Sequence, residues 1–137
     1  PGGQSIAIPV SLETIPLFVR GGTVLPMAAA NQRSDPGLDT SRIWRLYPQP
    51  GGAPARLSLA YDDDGDTADA LAGTHCLTRF RLVRMDQTVH LDWRRTGTWQ
   101  PAFDTVSLWL AGSGQLVVNG VEHTLGQPVL FAQSETP

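Results

Sequence analysis

The densest run of chemically capable side chains is Tyr61-Asp62-Asp63-Asp64-Gly65-Asp66-Thr67, which holds four of the ten aspartates in the chain. Clustered carboxylates suit a hard cation, so a calcium loop is the first chemistry to test. The EF-hand template fails: with Gly65 at its sixth position, the first and twelfth fall on Ala60 and Leu71, which bring no side-chain oxygen. A looser calcium site stays open. A second reading is a structural turn at a strand end. There aspartates accept backbone N–H bonds, Gly65 takes a positive φ, and acidic residues favour the start of a short helix. A third is a catalytic carboxylate pair, which needs two carboxyls roughly 5–10 Å apart across a cleft. Adjacent aspartates on a turn supply no such cleft, and the structural turn of Asp62, Asp63, Asp64, Gly65 and Asp66 is the reading adopted.

Other candidates are sparser. His75 and Cys76 are neighbours, and neighbours in a strand point to opposite faces. No CxxC or HxxxH spacing supports them as ligands. His90 and His123 read as surface residues. Serine-nucleophile, phosphate-loop and dinucleotide motifs are absent, and Gly21-Gly22 and Gly51-Gly52 sit in turns. No catalytic residue, metal or cofactor is therefore expected. Aromatics remain. Trp93 lies on an inward strand face. Trp109 lies opposite Val106, Leu108 and Leu110, so it suits interdomain packing, a second-sheet core or a sugar platform. Trp44, Tyr47 and Trp99 read as lying in or near loops, with Trp99 the other candidate for an interface or sugar platform.

The elements that hold these residues are short. Glycine (14) and proline (11) punctuate the 137 residues densely, which breaks up long helices. Between breaks the apolar residues repeat with period two, the mark of half-buried strands. Leu57, Leu59 and Tyr61 share a face in 56–61. Phe80 and Leu82 point inward in 77–85, with Arg79 and Arg81 outward. Val89, Leu91 and Trp93 share a face in 88–94, and Val106, Leu108 and Leu110 in 104–110. Leu116-Val117-Val118 and Val121-Glu122-His123 flank Asn119-Gly120, a type I′ hairpin signal. A last strand falls at Pro128–Ala132, and Ser134–Pro137 reads as a tail. One short helix fits Thr67–Leu71, ended by Gly73. Strands so spaced predict an all-β, antiparallel β-sandwich.

Three further apolar strands are expected at Ile6–Val10, Ile15–Val19 and Thr23–Met27. A polar stretch, Asn31–Asp39, reads as a linker. The expected organisation is a three-strand piece at 1–27, a linker at 28–41 and a β-sandwich domain at 42–137. Twenty-seven residues are too few to bury their own core. They either fold back on the larger domain or pair through an open edge with another copy, and a homodimer through these N-terminal strands is the expectation. The opening Pro1-Gly2-Gly3-Gln4 suggests a piece of a longer protein.

Charge and hydropathy exclude other classes. The net charge is −3, and all ten basic residues are arginine. No basic face is available for duplex nucleic acid. No apolar run reaches the roughly 18 residues of a membrane-spanning helix. One cysteine, Cys76, allows no internal disulfide.

Three stretches together resemble glycoside hydrolase family 31. Ile15-Pro16-Leu17-Phe18-Val19-Arg20-Gly21-Gly22-Thr23-Val24-Leu25-Pro26 is similar to the IPxFxRxGxxxP stretch that follows the family's catalytic barrel. Leu46-Tyr47-Pro48, then Leu59 to Thr67, is similar to its YP…LYEDDGET stretch. Gly97-Thr98-Trp99-Gln100-Pro101-Ala102-Phe103, Val106–Leu110 and Val118-Asn119-Gly120 resemble the strand pair and VNG turn that come next. The chain departs at Asp62 and Asp66, where the family more often has Glu, and at His75-Cys76. The resemblance implies the end of a proximal sandwich plus a distal C-terminal β-sandwich. The parent would be an α-glucosidase or α-xylosidase whose catalytic aspartates lie on a (β/α)₈ barrel. No barrel pattern exists in this chain, so no catalytic residue carries over. The implied role is accessory, with the parent's barrel as partner; the alternative is a carbohydrate-binding module using exposed aromatics.

Overall fold

A computed structural model describes residues 3–28 and 40–131. Among these residues, nine strands form two sheets: β1 Thr23–Ala28, β2 Arg42–Tyr47, β3 Arg56–Asp62, β4 Cys76–Met85, β5 Thr88–Thr96, β6 Thr105–Leu110, β7 Gln115–Val118, β8 Val121–His123 and β9 Pro128–Leu130. The first sheet has the order β1-β2-β6-β9 and the second β3-β4-β5-β7-β8. The chain is thus an all-β sandwich. Most pairings are antiparallel, but β2–β6 and β5–β7 are parallel. Each parallel pair joins strands that are not successive in the chain, because a parallel neighbour cannot be reached by a tight turn.

Alternation puts the core where the sequence predicts it on β4, β5 and β6. Phe80 and Leu82 face Val89, Leu91 and Trp93 within one sheet, and Val106, Leu108 and Leu110 come from the other. The hairpin of β7 and β8 turns at Asn119 (φ 47°) and Gly120 (φ 84°), both positive as a type I′ turn requires. The Asn119 side-chain oxygen also accepts the Trp93 N–H at 2.8 Å, which ties the turn to β5. The short helix is a 3-10 turn, Ala68–Ala72, ended at Gly73 with φ 101°.

Three expectations are corrected. First, Trp44 is not a loop residue. It lies in β2 at the centre of the core, edge-on to Phe80 (4.7 Å), Trp93 (5.1 Å) and Phe131 (5.8 Å). Second, Leu57, Leu59 and Tyr61 face outward. Their register with β4 decides this: Arg56 pairs with buried Leu82, and Ser58 with buried Phe80. Residues opposite each other share a face, so Arg56, Ser58, Ala60 and Asp62 point in. The polar members find partners: Ser58 Oγ accepts the Val24 N–H at 3.2 Å, and Asp62 binds Arg42 at 2.9 Å. Third, Ile6–Val10 and Ile15–Val19 form no strand; only a turn at Ser11–Thr14 is regular there. A strand needs a neighbour for its backbone groups, and no described strand borders these residues. Ile6, Val10, Ile15, Leu17 and Phe18 remain exposed.

Thr23–Met27 does form a strand, and it hydrogen-bonds to β2. The linker expected at Asn31–Asp39 lies outside the described residues but for its last position's neighbour, Thr40. The C-terminal tail, with Ala132, lies outside them as well.

Candidate functional site

The aspartate run begins on the last residue of β3 and makes the turn into the 3-10 segment. Asp63 Oδ1 accepts the Gly65 N–H at 3.0 Å. Asp64 Oδ1 accepts the N–H groups of Asp66 (3.2 Å) and Thr67 (3.1 Å), while its Oδ2 accepts the Thr67 hydroxyl at 2.6 Å. The Thr67 hydroxyl bond, with the two N–H donors, holds the Asp64 carboxyl below its ordinary pKa. Gly65 has φ +68°. These are bonds of an Asx-type turn, in which short acidic side chains satisfy backbone donors that the bend leaves open.

Facing this turn is the loop after β5. Gly97 has φ +103°, and a Cβ there would overlap the His75 carbonyl oxygen. The close approach lets the Trp99 N–H bond that same oxygen at 3.2 Å and the Thr98 hydroxyl bond the Gly73 carbonyl at 3.3 Å. Arg95, buried at the end of β5, donates to Gln100 Oε1 and lies 5.1 Å from the Phe131 ring. Arg42 lies 5.0 Å from the Phe103 ring while bonded to Asp62. Between turn and loop is a cleft of about 310 Å³, lined by Asp62 to Gly65 from the turn, Trp99 to Phe103 from the loop, and Arg42. The Asp62–Asp66 turn and Trp99, each singled out in the sequence, thus come together. Trp99 also packs partly on the core.

Trp109 is elsewhere. It lies on the outer face of the first sheet, 46% exposed, in the same rung as Leu25 and Arg45. It is not second-sheet core. The Arg45 guanidinium sits 5.3 Å from its ring centre and the Tyr47 ring 5.7 Å away. A sugar stacking on Trp109 would have to share the indole with this cation.

His75, just before β4, and Cys76, its first residue, lie apart. His75 stacks on Tyr61 at 5.5 Å, and Cys76 is buried, where desolvation raises its thiol pKa. Among the described residues, no group of three or more His, Cys, Asp or Glu is arranged to hold a metal. The pairing of loop 97–103 with the acidic turn was not readable from spacing, since the two are more than thirty residues apart. Gly97 was the signal: a glycine that a backbone contact requires.

No family model matches the chain. Two known proteins do. "Alpha-glucosidase 2" of Bacillus thermoamyloliquefaciens is 29% identical over 102 residues, covering 74% of this chain and 13% of that protein. An alpha-xylosidase of Saccharolobus solfataricus is 36% identical over 79 residues, covering 54% of this chain and 10% of that protein. The chain therefore spans about a tenth of the length of these relatives. With the motifs and the sandwich already described, the two matches relate this chain to a part of the family 31 glycoside hydrolases.

Proposed function

We infer that the chain is a non-catalytic accessory region of a family 31 α-glycosidase, a C-terminal sandwich that packs on and stabilises the parent's catalytic barrel. The parent hydrolyses α-glucosidic or α-xylosidic bonds, the activities named for the two relatives. One observation carries the reading. The apolar segment with Ile6, Val10, Ile15, Leu17 and Phe18 is exposed and has no strand partner among the described residues. Burying a side chain of that size is worth roughly 1.5–3 kcal/mol, so the segment fits a larger body that supplies the missing neighbours. On this reading residues 3–22 belong with a proximal sandwich, and β1 joins 42–137 in the distal one.

The test has two arms. The isolated chain should not hydrolyse aryl α-glucosides or α-xylosides between pH 5 and 7. Removing 42–137 from the parent enzyme should lower its melting temperature while leaving the barrel's active-site chemistry in place. Turnover by the isolated chain that disappears with Asp63→Asn would overturn the accessory role.

The Trp99 cleft favours a second reading, a carbohydrate-binding module. An indole flanked by carboxylates is the chemistry that holds a pyranose, stacking on its face and accepting from its hydroxyls. Titration with maltooligosaccharides separates the two. Binding that Trp99→Ala abolishes selects the module; no heat of binding at millimolar sugar selects the accessory role.

A further inference from the structure

The two sheets present different outer faces. On the second, Arg81 pairs with Asp92 at 2.9 Å and Arg79 lies opposite Arg94, so its central strands carry charge into water. On the first, the outward residues in register are Thr23 beside Tyr47, Leu25 beside Arg45 and Trp109, and Met27 beside Ile43 and Ser107. Leu25, Met27, Ile43 and Trp109 are exposed there. Arg45 is the only charged residue that β1, β2 and β6 turn outward, and its guanidinium lies over the Trp109 ring. Tryptophan, tyrosine, methionine and arginine together, with no carboxylate among them, is the composition of an interface core and not of a solvated face.

What covers it follows from a tether. β1 continues directly from the exposed apolar segment, and the Gly22 N–H bonds the Tyr47 carbonyl at 2.6 Å, which fixes where that segment leaves the sheet. Phe18 comes five residues before Thr23, so full extension carries it no further than roughly 18 Å from the start of β1. A body that buries Leu17 and Phe18 must therefore sit against the Tyr47 end of the first sheet. We propose, resting on the accessory reading above, that the outer face of the first sheet docks the parent's proximal sandwich, the body that takes in residues 3–22. Trp109 is its anchor, with Leu25, Met27 and Ile43 around it and Arg45 held on the indole. A tethered partner meets the face at high effective concentration, so a patch of three strands suffices. A desolvated indole carries a large share of such a contact.

Hydroxyl-radical footprinting of the parent enzyme and of this chain alone tests the docking. In the chain alone Phe18, Met27 and Trp109 should all be oxidised. In the parent all three should be protected, while Tyr61 and Met85, exposed on the second sheet, react in both. Protection of Phe18 without protection of Met27 and Trp109 would overturn the docking face and leave the accessory reading standing. Full reactivity of all three in the parent would overturn both. Protection of Trp109 in the chain alone that grows with its concentration would assign the face to a second copy and overturn the proposal. A substitution gives a second readout. Trp109→Glu places a carboxylate opposite Arg45, a cross-strand partner the isolated sheet accepts. It should lower the parent's melting temperature by several degrees and leave that of the chain alone unchanged. Leu59→Glu, opposite Arg79 on the second sheet, should move neither. Equal losses from Trp109→Glu in parent and chain would place the indole in the chain's own stability and overturn its role as anchor.

Discussion

Two glycines with positive φ differ in what surrounds them. At Gly65 a Cβ would meet nothing within 4 Å, so Gly65→Ala should cost only the backbone strain, about 1–2 kcal/mol. At Gly97 the same change also drives a methyl into the His75 carbonyl. The loss there should reach about 3 kcal/mol or more, and the Trp99 side of the cleft should shift with it. Urea unfolding of both variants ranks them; equal midpoints would refute the close approach. Asp64 makes a second prediction, one of pH. Its folded pKa lies below the ordinary carboxylate value, so its contribution is fully present above that value and fades as pH falls toward the folded pKa. Thr67→Val should bring the Asp64 pKa back up in a carboxyl NMR titration and flatten that part of the acid-unfolding curve. An unmoved Asp64 would show that the hydroxyl is not what holds it.

Among the elements, β4, β5, β6 and the Asn119-Gly120 hairpin were legible, because each has one plainly apolar face and its turn residues fit only one geometry. β2 was not. Ile43 and Tyr47 on one face rival Trp44 and Leu46 on the other, so period two gives no contrast, and the preceding polar stretch masks the start. β3 shows a deeper limit: alternation identifies two faces but not which one is buried. The register with Phe80 and Leu82 chose the polar face, and a cross-sheet Arg42–Asp62 pair made that choice tolerable. A stability contrast follows. Leu59→Lys on the outer face should change stability by less than about 0.5 kcal/mol, whereas Leu91→Ala in the core should cost about 2–5 kcal/mol. Thermal melts would measure both; a large loss for Leu59→Lys would mean that Leu59 is packed.

For the whole molecule, the sequence motifs pointed to family 31, and the two relatives agree with them at the scale of a region rather than an enzyme. Composition excluded classes but could not show that the acidic turn and Trp99 share a cleft, because that depends on a loop crossing between sheets. The interleaving of those sheets also governs how the chain can assemble. β3, β4 and β5 follow one another and pair in sequence, so they can form early from local contacts. The first sheet must wait: β2 needs β6 beside it, Arg42 opposite Val106 and Leu46 opposite Leu110, more than sixty residues later. Until that closure is made, Trp44 has only one wall of its cavity. Pairing strands so far apart in sequence is slow, so the capture of β2 by β6 is the step expected to come late in folding, with Trp44 resting on Phe80 and Trp93 until then.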